Sequence, residues 1–153
     1  MSSIAEAKAA LVAAKESGLP VWVSLTIEDN DQGLLRSGEA LLDAVAMLDE
    51  FGADAKLLNC SKPEAILASW SKMKSDQGLT GAYGNGFTSI DSLKPGGTVK
   101  SMQSRTDLGP AAYAEFAMEW VTNGAGLIGG CCEVGPAHIA ELSKRLTENG
   151  YSV

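Results

Sequence analysis

Residues 37–60, "SGEALLDAVAMLDEFGADAKLLNC", contain the unit from which the fold can be predicted. Residues 37–52 place apolar side chains at helical spacing, with Ser37 as a candidate N-cap and Gly52 as a candidate C′ glycine. Residues 53–60 follow as a short apolar run that is typical of a buried strand and ends at Cys60. The stretch therefore predicts a helix that leads into a strand with a cysteine at its carboxyl end.

The same alternation of helix and strand recurs along the whole chain. Ser61 and Glu64 have the spacing of a capping box at the start of the third helical pattern. Strands separated by helices cannot be hairpin partners, so we predict an α/β fold of parallel βα units, formed by one helix and four such units. Helices are predicted at 5–18, 37–52, 61–78, 109–124 and 135–150, and strands at 19–27, 53–60, 79–85 and 125–130.

The composition is that of one acidic globular domain. The 153 residues are 45% hydrophobic and carry a net charge of -7, which predicts a single domain over residues 1–153. The chain has no long basic run, and this argues against binding to nucleic acid or to an anionic membrane surface. The lack of an 18-residue apolar run and of a secretory signal pattern argues against a membrane span and predicts a cytoplasmic protein.

The longest connection is residues 85–109, which are rich in Gly, Ser and Thr. This connection is too long for a simple crossover turn, and its length is typical of a lid or of a disordered segment.

The three cysteines are predicted to meet at one edge of the sheet. Cys60 ends the second strand, and Cys131 and Cys132 follow the fourth. Adjacent residues in a strand point to opposite faces, so both thiols can face one centre only if the chain turns there. We expect Gly129 and Gly130 to permit that turn through the wide range of dihedral angles open to glycine. Three thiolates suit Zn²⁺, with a fourth position open to a thiol substrate.

Two other readings of the cysteines remain open at this point. Unpaired cysteines are among the most buried residue types, and the CxxC spacing of structural zinc sites is absent, so three small core residues are an equal alternative. A redox disulfide between Cys131 and Cys132 is a third reading, disfavoured because adjacent cysteines form a strained ring.

Two segments that contain the cysteines resemble a known family. "NCSKPEAI" at 59–66 and "IGGCCEVGPAHI" at 128–139 are similar to the two zinc-binding signatures of the homocysteine S-methyltransferases, (β/α)₈ barrels that methylate homocysteine to methionine. "PVWVSLTIED" at 20–29 and "GAYGNGFTSI" at 81–90 resemble the fifth and seventh strand regions of that barrel. The resemblance implies the C-terminal half of a TIM-type (β/α)₈ barrel, about four βα units, with zinc ligands Cys60, Cys131 and Cys132.

The chain also departs from the family pattern. Gly84 and Asn85 stand where the family has Pro-Asn, and Glu133 stands where many members have a smaller residue. Family members are roughly twice as long, and their N-terminal Asp-Gly-Gly segment, which helps to hold homocysteine, has no counterpart here. The resemblance therefore implies a half barrel, which we expect to be completed by a second copy or by a complementary N-terminal half.

The function implied by the resemblance is zinc-dependent methyl transfer. The acceptor would be the thiol of homocysteine, the donor a small sulfonium such as S-methylmethionine or S-adenosylmethionine, and no catalytic residue beyond the metal ligands is expected. Asn59 and Asn85, each near a strand end, are predicted to contact the substrate. The alternative is a non-catalytic zinc-binding half barrel that serves as an oligomerisation or partner module.

Five further side chains receive structural predictions. His138, in the first turn of the last helix, is expected to pack or cap and not to bind metal. Trp22, Trp70 and Trp120 are expected to be core or helix-packing aromatic residues. Glu133 could attract an ammonium group or could be an exposed turn carboxylate.

Overall fold

The computed structural model describes residues 1–75, 77–89 and 102–153, and the predicted alternation of helix and strand is confirmed there. Helix α1 is followed by four strands, and each strand is followed in the sequence by a helix. The elements are α1 (Ile4–Lys15), β1 (Trp22–Leu25), α2 (Leu41–Glu50), β2 (Ala55–Asn59), α3 (Pro63–Ser69) with a 3₁₀ turn (Trp70–Met73), β3 (Leu79–Gly84), α4 (Pro110–Thr122), β4 (Leu127–Gly130) and α5 (Pro136–Glu148).

The four strands form one parallel sheet in the order β1-β2-β3-β4. All carboxyl ends therefore lie along one edge of the sheet, as the sequence predicted. Met1 continues the ladder beside β1, because its amino group donates to the Ser24 carbonyl at 2.7 Å and its carbonyl accepts from the Thr26 amide at 2.8 Å. Among the described strands, β1 and β4 are the outer two, so the sheet is open where an eight-stranded barrel would be closed.

The two faces of the sheet differ in how well they are covered. Val23, Leu25 and Leu58 pack into the core formed with the helices. On the opposite face, the strand register places Trp22, Ala55 and Leu79 side by side in one row. Trp22 is 53% exposed and Leu79 is 50% exposed. We call the face that carries this row the inner face, by analogy with the interior of a barrel.

The prediction that all three tryptophans are core or helix-packing residues was wrong for Trp22, which lies on the inner face. Trp70 and Trp120 are buried, as predicted, with exposed fractions of 4% and 0%. Trp22 is not a core residue here, because as the first residue of β1 it points to the face opposite the core residues Val21, just before the strand, and Val23. The strand pattern was correct, but about half of the Trp22 side chain stays exposed on this face.

Two predicted helix starts are also wrong. Helix α2 begins after Ala40, and the Ser37 hydroxyl donates to the Glu39 carboxylate. Helix α3 begins after Lys62, because the Ser61 hydroxyl makes tertiary contacts with the Ile27 backbone at 3.1 Å. In both cases the serine hydroxyl has a partner other than the helix backbone, and for Ser61 that partner is 34 residues away.

The predicted helix ends are partly confirmed. Gly52 follows α2 with a φ of 69°, the left-handed conformation predicted for a C′ glycine. The helix predicted over 61–78 is shorter, since α3 ends at Ser69 and the 3₁₀ turn ends at Met73.

The connection after β3 begins and ends as a pair of antiparallel segments. Phe87 forms an isolated bridge with Ser104, and the Arg105 amide donates to the Gly86 carbonyl at 2.7 Å. The Arg105 guanidinium also bonds Glu64 on α3 and Asp107, and this fixes the returning segment to the helix layer. The middle of the connection, residues 90–101, lies outside the described residues, and so does most of the segment predicted to be a lid or disordered.

A buried lysine joins β2 to the end of α2 and to the segment that precedes β3. Lys56 on β2 is fully buried and forms an ion pair with Asp49 at the end of α2. Its ammonium group also donates to the Ser75 hydroxyl at 2.8 Å and to the Gln77 carbonyl at 2.6 Å. All three donors of the lysine therefore have acceptors, which is the condition under which a charge can be buried. No helix within the described ranges has the length and apolar character needed to cross a membrane.

Candidate metal centre

The three cysteine sulfurs meet at the carboxyl edge of the sheet, as predicted. Cys60 follows β2 and the Cys131–Cys132 pair follows β4, so the two ligand-bearing turns flank the end of β3. The Cys132 Sγ lies 4.0 Å from the Cys60 Sγ and 3.9 Å from the Cys131 Sγ, and all three lie within 4.8 Å of one another. None of the three cysteines is in a disulfide, and all three are half-buried. Their role as metal ligands stays a prediction.

Cys60 reaches this point through an unusual backbone conformation. Its φ is 51°, in the left-handed region that side chains other than those of Gly, Asn and Asp seldom adopt. Its amide still donates to the Tyr83 carbonyl of β3 at 2.9 Å, so the chain turns only after the last ladder bond. The turn away from the sheet therefore occurs at the thiol-bearing residue itself.

Cys131 and Cys132 lie in a tight turn. The Cys131 amide donates to the Gly84 carbonyl, and the Cys131 carbonyl accepts from the Val134 amide at 3.1 Å. Glu133 has a φ of 64° at the third position of this turn, where a type II turn favours glycine. Because the chain turns at the pair, both thiols can face Cys60.

The structure corrects our explanation of the glycines before the pair. Neither Gly129 nor Gly130 has a positive φ; in this turn the positive φ belongs to Glu133. The glycines are needed for space, since a Cβ on Gly130 would lie 2.2 Å from the Val134 side chain. A Cβ on Gly129 would lie 3.0 Å from the ring of Tyr83.

The thiol cluster favours one thiolate. Hydrogen bonding from Cys60 lowers the pKa of Cys131 to about 6 and outweighs the effect of its burial. The same interaction, together with burial, raises the pKa of Cys60. Burial, followed by the charge on Cys131, raises the pKa of Cys132. At neutral pH the metal-free cluster therefore holds a single negative charge, centred on Cys131 and stabilised by its neighbours.

The two asparagines predicted to contact substrate differ in environment. Asn59 is half-buried at the end of β2, where its side-chain oxygen accepts from the Thr26 hydroxyl at 3.1 Å. Asn85 is fully buried, and its side-chain oxygen accepts from the Phe87 amide at 3.0 Å. The Asn85 Nδ2 has no hydrogen-bond partner among the described residues. The substrate-binding role of both residues stays a prediction.

Glu133 is an exposed turn residue. Its carboxylate accepts from the hydroxyl of Ser104 at 2.6 Å, on the segment that returns from the long connection. This contact joins the thiol-bearing turn to the antiparallel pair formed with Gly86 and Phe87.

Sequence reasoning missed Tyr113 and saw only part of the role of His138. The Tyr113 hydroxyl donates to the carbonyl of Gly129 at 2.6 Å, two residues before the first thiol of the pair. His138 caps the start of α5, as predicted, by accepting from the Gly135 amide. The signal for His138 was its position as the third residue of the helix, whereas nothing local to Tyr113 indicates its partner.

Comparison with known proteins gives a consistent result. The sequence model of a family described as Homocysteine S-methyltransferase matches residues 1–146. The Homocysteine S-methyltransferase of Escherichia coli (strain K12) is 31% identical over 129 residues, which is 81% of this chain and 38% of that protein. Homocysteine S-methyltransferase 1 of Zea mays is 28% identical over 146 residues, which is 93% of this chain and 42% of that protein.

A solved structure shows the same architecture. The apo form of the homocysteine methyltransferase MmuM from Escherichia coli is 25% identical, with a TM-score of 0.66. The superposition covers 94% of this chain and 47% of that one. The chain thus spans about half of a solved TIM-barrel enzyme, and 38% to 42% of the two relatives above.

Proposed function

The chain belongs to the homocysteine S-methyltransferase family, and on that premise we propose that it forms the zinc-binding half of a methyltransferase that acts on homocysteine. The methyl donor is a small sulfonium such as S-methylmethionine or S-adenosylmethionine. The homocysteine sulfur attacks the methyl carbon, the bond from that carbon to the donor sulfur breaks, and the donor leaves as a neutral thioether. The acceptor thiol loses its proton, and the products are methionine and the demethylated donor.

The convergence of the three sulfurs is the observation that supports this proposal. Ligand sulfurs on a tetrahedral zinc ion lie about 3.8 Å apart, since zinc–sulfur bonds are about 2.3 Å long. The two sulfur contacts of Cys132, at 4.0 and 3.9 Å, lie close to that separation. The donor set therefore fits Zn²⁺, with Cys60, Cys131 and Cys132 as the residues that would hold it.

The protein side of the chemistry follows from these residues. Bound zinc would lower the pKa of a coordinated thiol, so that homocysteine could react as a thiolate at neutral pH. Cys131 supplies a thiolate already near neutral pH, and Cys60 and Cys132 must each release a proton to bind metal. Asn59 and Asn85 are proposed to hydrogen-bond the amino acid part of the substrate. Three reduced thiols suit a reducing compartment such as the cytoplasm.

We also propose that a partner chain covers the inner face. Trp22 and Leu79 are half exposed in one row of the sheet, and β1, apart from its contacts with Met1, and β4 form the outer edges of the described sheet. A complementary N-terminal half barrel, or a second copy of this chain, would cover that face and close the sheet. Light scattering should therefore show an assembly. A monomer that unfolds cooperatively contradicts this part of the proposal.

A non-catalytic role is the second candidate. The chain spans less than half of its relatives, while all three proposed ligands lie within it. A zinc-binding half barrel that serves as an oligomerisation or partner module is compatible with both observations.

Two measurements separate the two functions. Zinc content per chain, for wild type and Cys60→Ser, tests the metal site on which both depend. Methionine formation from homocysteine and S-methylmethionine, or S-adenosylmethionine, tests catalysis, with the chain alone and joined to the N-terminal half of the Escherichia coli relative. Activity that is lost in the Cys60→Ser version supports the methyltransferase. Zinc-loaded protein that makes no methionine in either form favours the module, and protein purified zinc-free from zinc-replete medium contradicts both.

A further inference from the structure

The turn that carries two of the three thiols is held on one side by the segment after β3, where the Gly86 amide donates to the Cys132 carbonyl at 2.9 Å and the Ser104 hydroxyl donates to the Glu133 carboxylate. It follows Gly129 and Gly130, which have no side chains, at the end of the edge strand β4. One hydrogen bond, from the Val134 amide to the Cys131 carbonyl, closes it, and Glu133 holds a strained conformation within it. Beside these contacts, the direction of the Cys131 and Cys132 side chains depends on what fixes the backbone on either side of the turn.

Tyr113 fixes the backbone on the strand side. Its ring is fully buried in α4, and its hydroxyl donates to the Gly129 carbonyl at 2.6 Å. The Gly84 carbonyl, which accepts from the Cys131 amide, lies 3.4 Å from the same hydroxyl. Burial raises the pKa of Tyr113, so the hydroxyl keeps its proton and remains a donor at neutral pH. One phenol thus joins the last residues of β3 and β4.

His138 fixes the backbone on the helix side. Its Nδ1 accepts from the Gly135 amide at 3.2 Å, so the other ring nitrogen carries the proton in the neutral ring. That nitrogen, Nε2, lies 3.2 Å from the Leu108 carbonyl and donates to it. His138 therefore connects Gly135, just after the turn that carries Cys131 and Cys132, to Leu108, just before α4.

The two side chains also contact each other. The rings of Tyr113 and His138 pack edge to face, with centroids 5.9 Å apart and an interplanar angle of 88°. The result is a continuous path from Gly129 through Tyr113 and His138 to Gly135. This path lies on the helix side of the sheet and spans the whole thiol turn.

We propose that Tyr113 and His138 are positioning residues for the metal site, which hold the Gly129–Gly135 turn so that Cys131 and Cys132 both face Cys60. The inference rests on the proposed zinc function and adds to it the groups that set the direction of two ligands. Residues that orient metal ligands without touching the metal change affinity by about 10- to 100-fold when they are removed.

The test is metal binding by the metal-free chain, measured by competition with a chromophoric chelator for Zn²⁺ and by the absorption spectrum with Co²⁺. The variants are Tyr113→Phe, His138→Ala and His138→Gln. Glutamine can accept from the Gly135 amide and donate to the Leu108 carbonyl, so it should restore what alanine removes. Val45→Ala, in the core of α2 and away from the thiols, is the control for a general loss of stability.

We expect His138→Ala to weaken zinc binding by about 10-fold or more and Tyr113→Phe by a smaller factor, with weaker thiolate-to-cobalt absorption in both. His138→Gln and Val45→Ala should bind zinc as the wild type does. Circular dichroism at the temperature of the titration shows whether each variant is folded. If His138→Ala is unfolded, the zinc affinity of the isosteric Tyr113→Phe variant tests the positioning role.

The outcomes separate this inference from the function on which it rests. Wild-type protein that binds no zinc overturns the proposed function itself. Wild-type binding with unchanged affinity and cobalt spectra in folded Tyr113→Phe and His138→Ala overturns only the positioning role. An equal loss of affinity in Val45→Ala also overturns it, since the effect would then follow general stability.

Discussion

The protonation of the thiol cluster predicts how many protons zinc displaces. Zinc binds thiolates, so every ligand that is a thiol in the metal-free protein must release a proton. The pKa of Cys131 is lowered to about 6, whereas those of Cys60 and Cys132 are raised. At pH 7.5 one ligand is therefore ionised and two are not, and we expect each zinc ion to release about two protons.

The sign of the pH dependence follows directly. Acid returns protons to the ligands and competes with the metal, so zinc affinity rises with pH. With two protons released, the apparent affinity should change by about 100-fold per pH unit near neutrality. Below the pKa of Cys131, at about 6, the third ligand is also protonated and the dependence becomes steeper.

Isothermal titration calorimetry at one pH, in buffers of different ionisation enthalpy, measures the number of protons released. That number is the slope of the observed binding enthalpy plotted against the ionisation enthalpy of the buffer. The ultraviolet absorbance of the metal-free protein provides an independent check, since one thiolate should appear near pH 6 and should be absent in Cys131→Ser. Release of about three protons at pH 7.5 would show that Cys131 is a thiol in the free protein, and release of one or none would show more than one thiolate. Either result refutes the reasoning.

Three further predictions concern the ligands, the strained turn and the buried charge. Cys60→Ser should reduce zinc content from about one ion per chain to near zero by elemental analysis, because two thiolates remain; full occupancy would contradict the site. Glu133→Gly should raise the free energy of unfolding by about 1 kcal/mol in urea, since glycine adopts the positive φ without strain, whereas Glu133→Ala should not; equal effects would contradict this. Asp49→Ala should lower the free energy of unfolding by about 3–5 kcal/mol, because it leaves Lys56 buried without its counter-charge, whereas Lys56→Met should cost much less; similar losses would contradict the argument.

The architecture was predictable because its signals are local and repeated. Each strand is a short apolar run after a helical pattern, and the intervening helices leave a parallel arrangement as the only simple one. From that arrangement alone, Cys60 and the Cys131–Cys132 pair had to lie at one edge of the sheet, and the structure places them there. The convergence suggested zinc, but the preference for zinc over three small core cysteines depended on the resemblance of the two cysteine segments to a family.

The remaining features depend on contacts between distant segments. Ser61 resembles an N-cap in sequence, but its hydroxyl bonds the backbone at Ile27, 34 residues away. Tyr113 resembles any apolar residue on the buried side of a helix, and its hydrogen bond to Gly129 exists only once α4 has packed behind β4. The conformation of Glu133 contradicts the local rule that places glycine at a positive φ. Such features need the folded chain, because no periodicity or spacing encodes them.

The exposure of Trp22 makes the protein its own optical reporter. Two of the three tryptophans, Trp70 and Trp120, are already shielded from water, so only Trp22 has a largely aqueous environment. Indole fluorescence moves to shorter wavelength when the ring is shielded from water. A chain that binds to the inner face should therefore shift the emission of Trp22 to shorter wavelength. Closure of the sheet can thus be followed in real time without a dye.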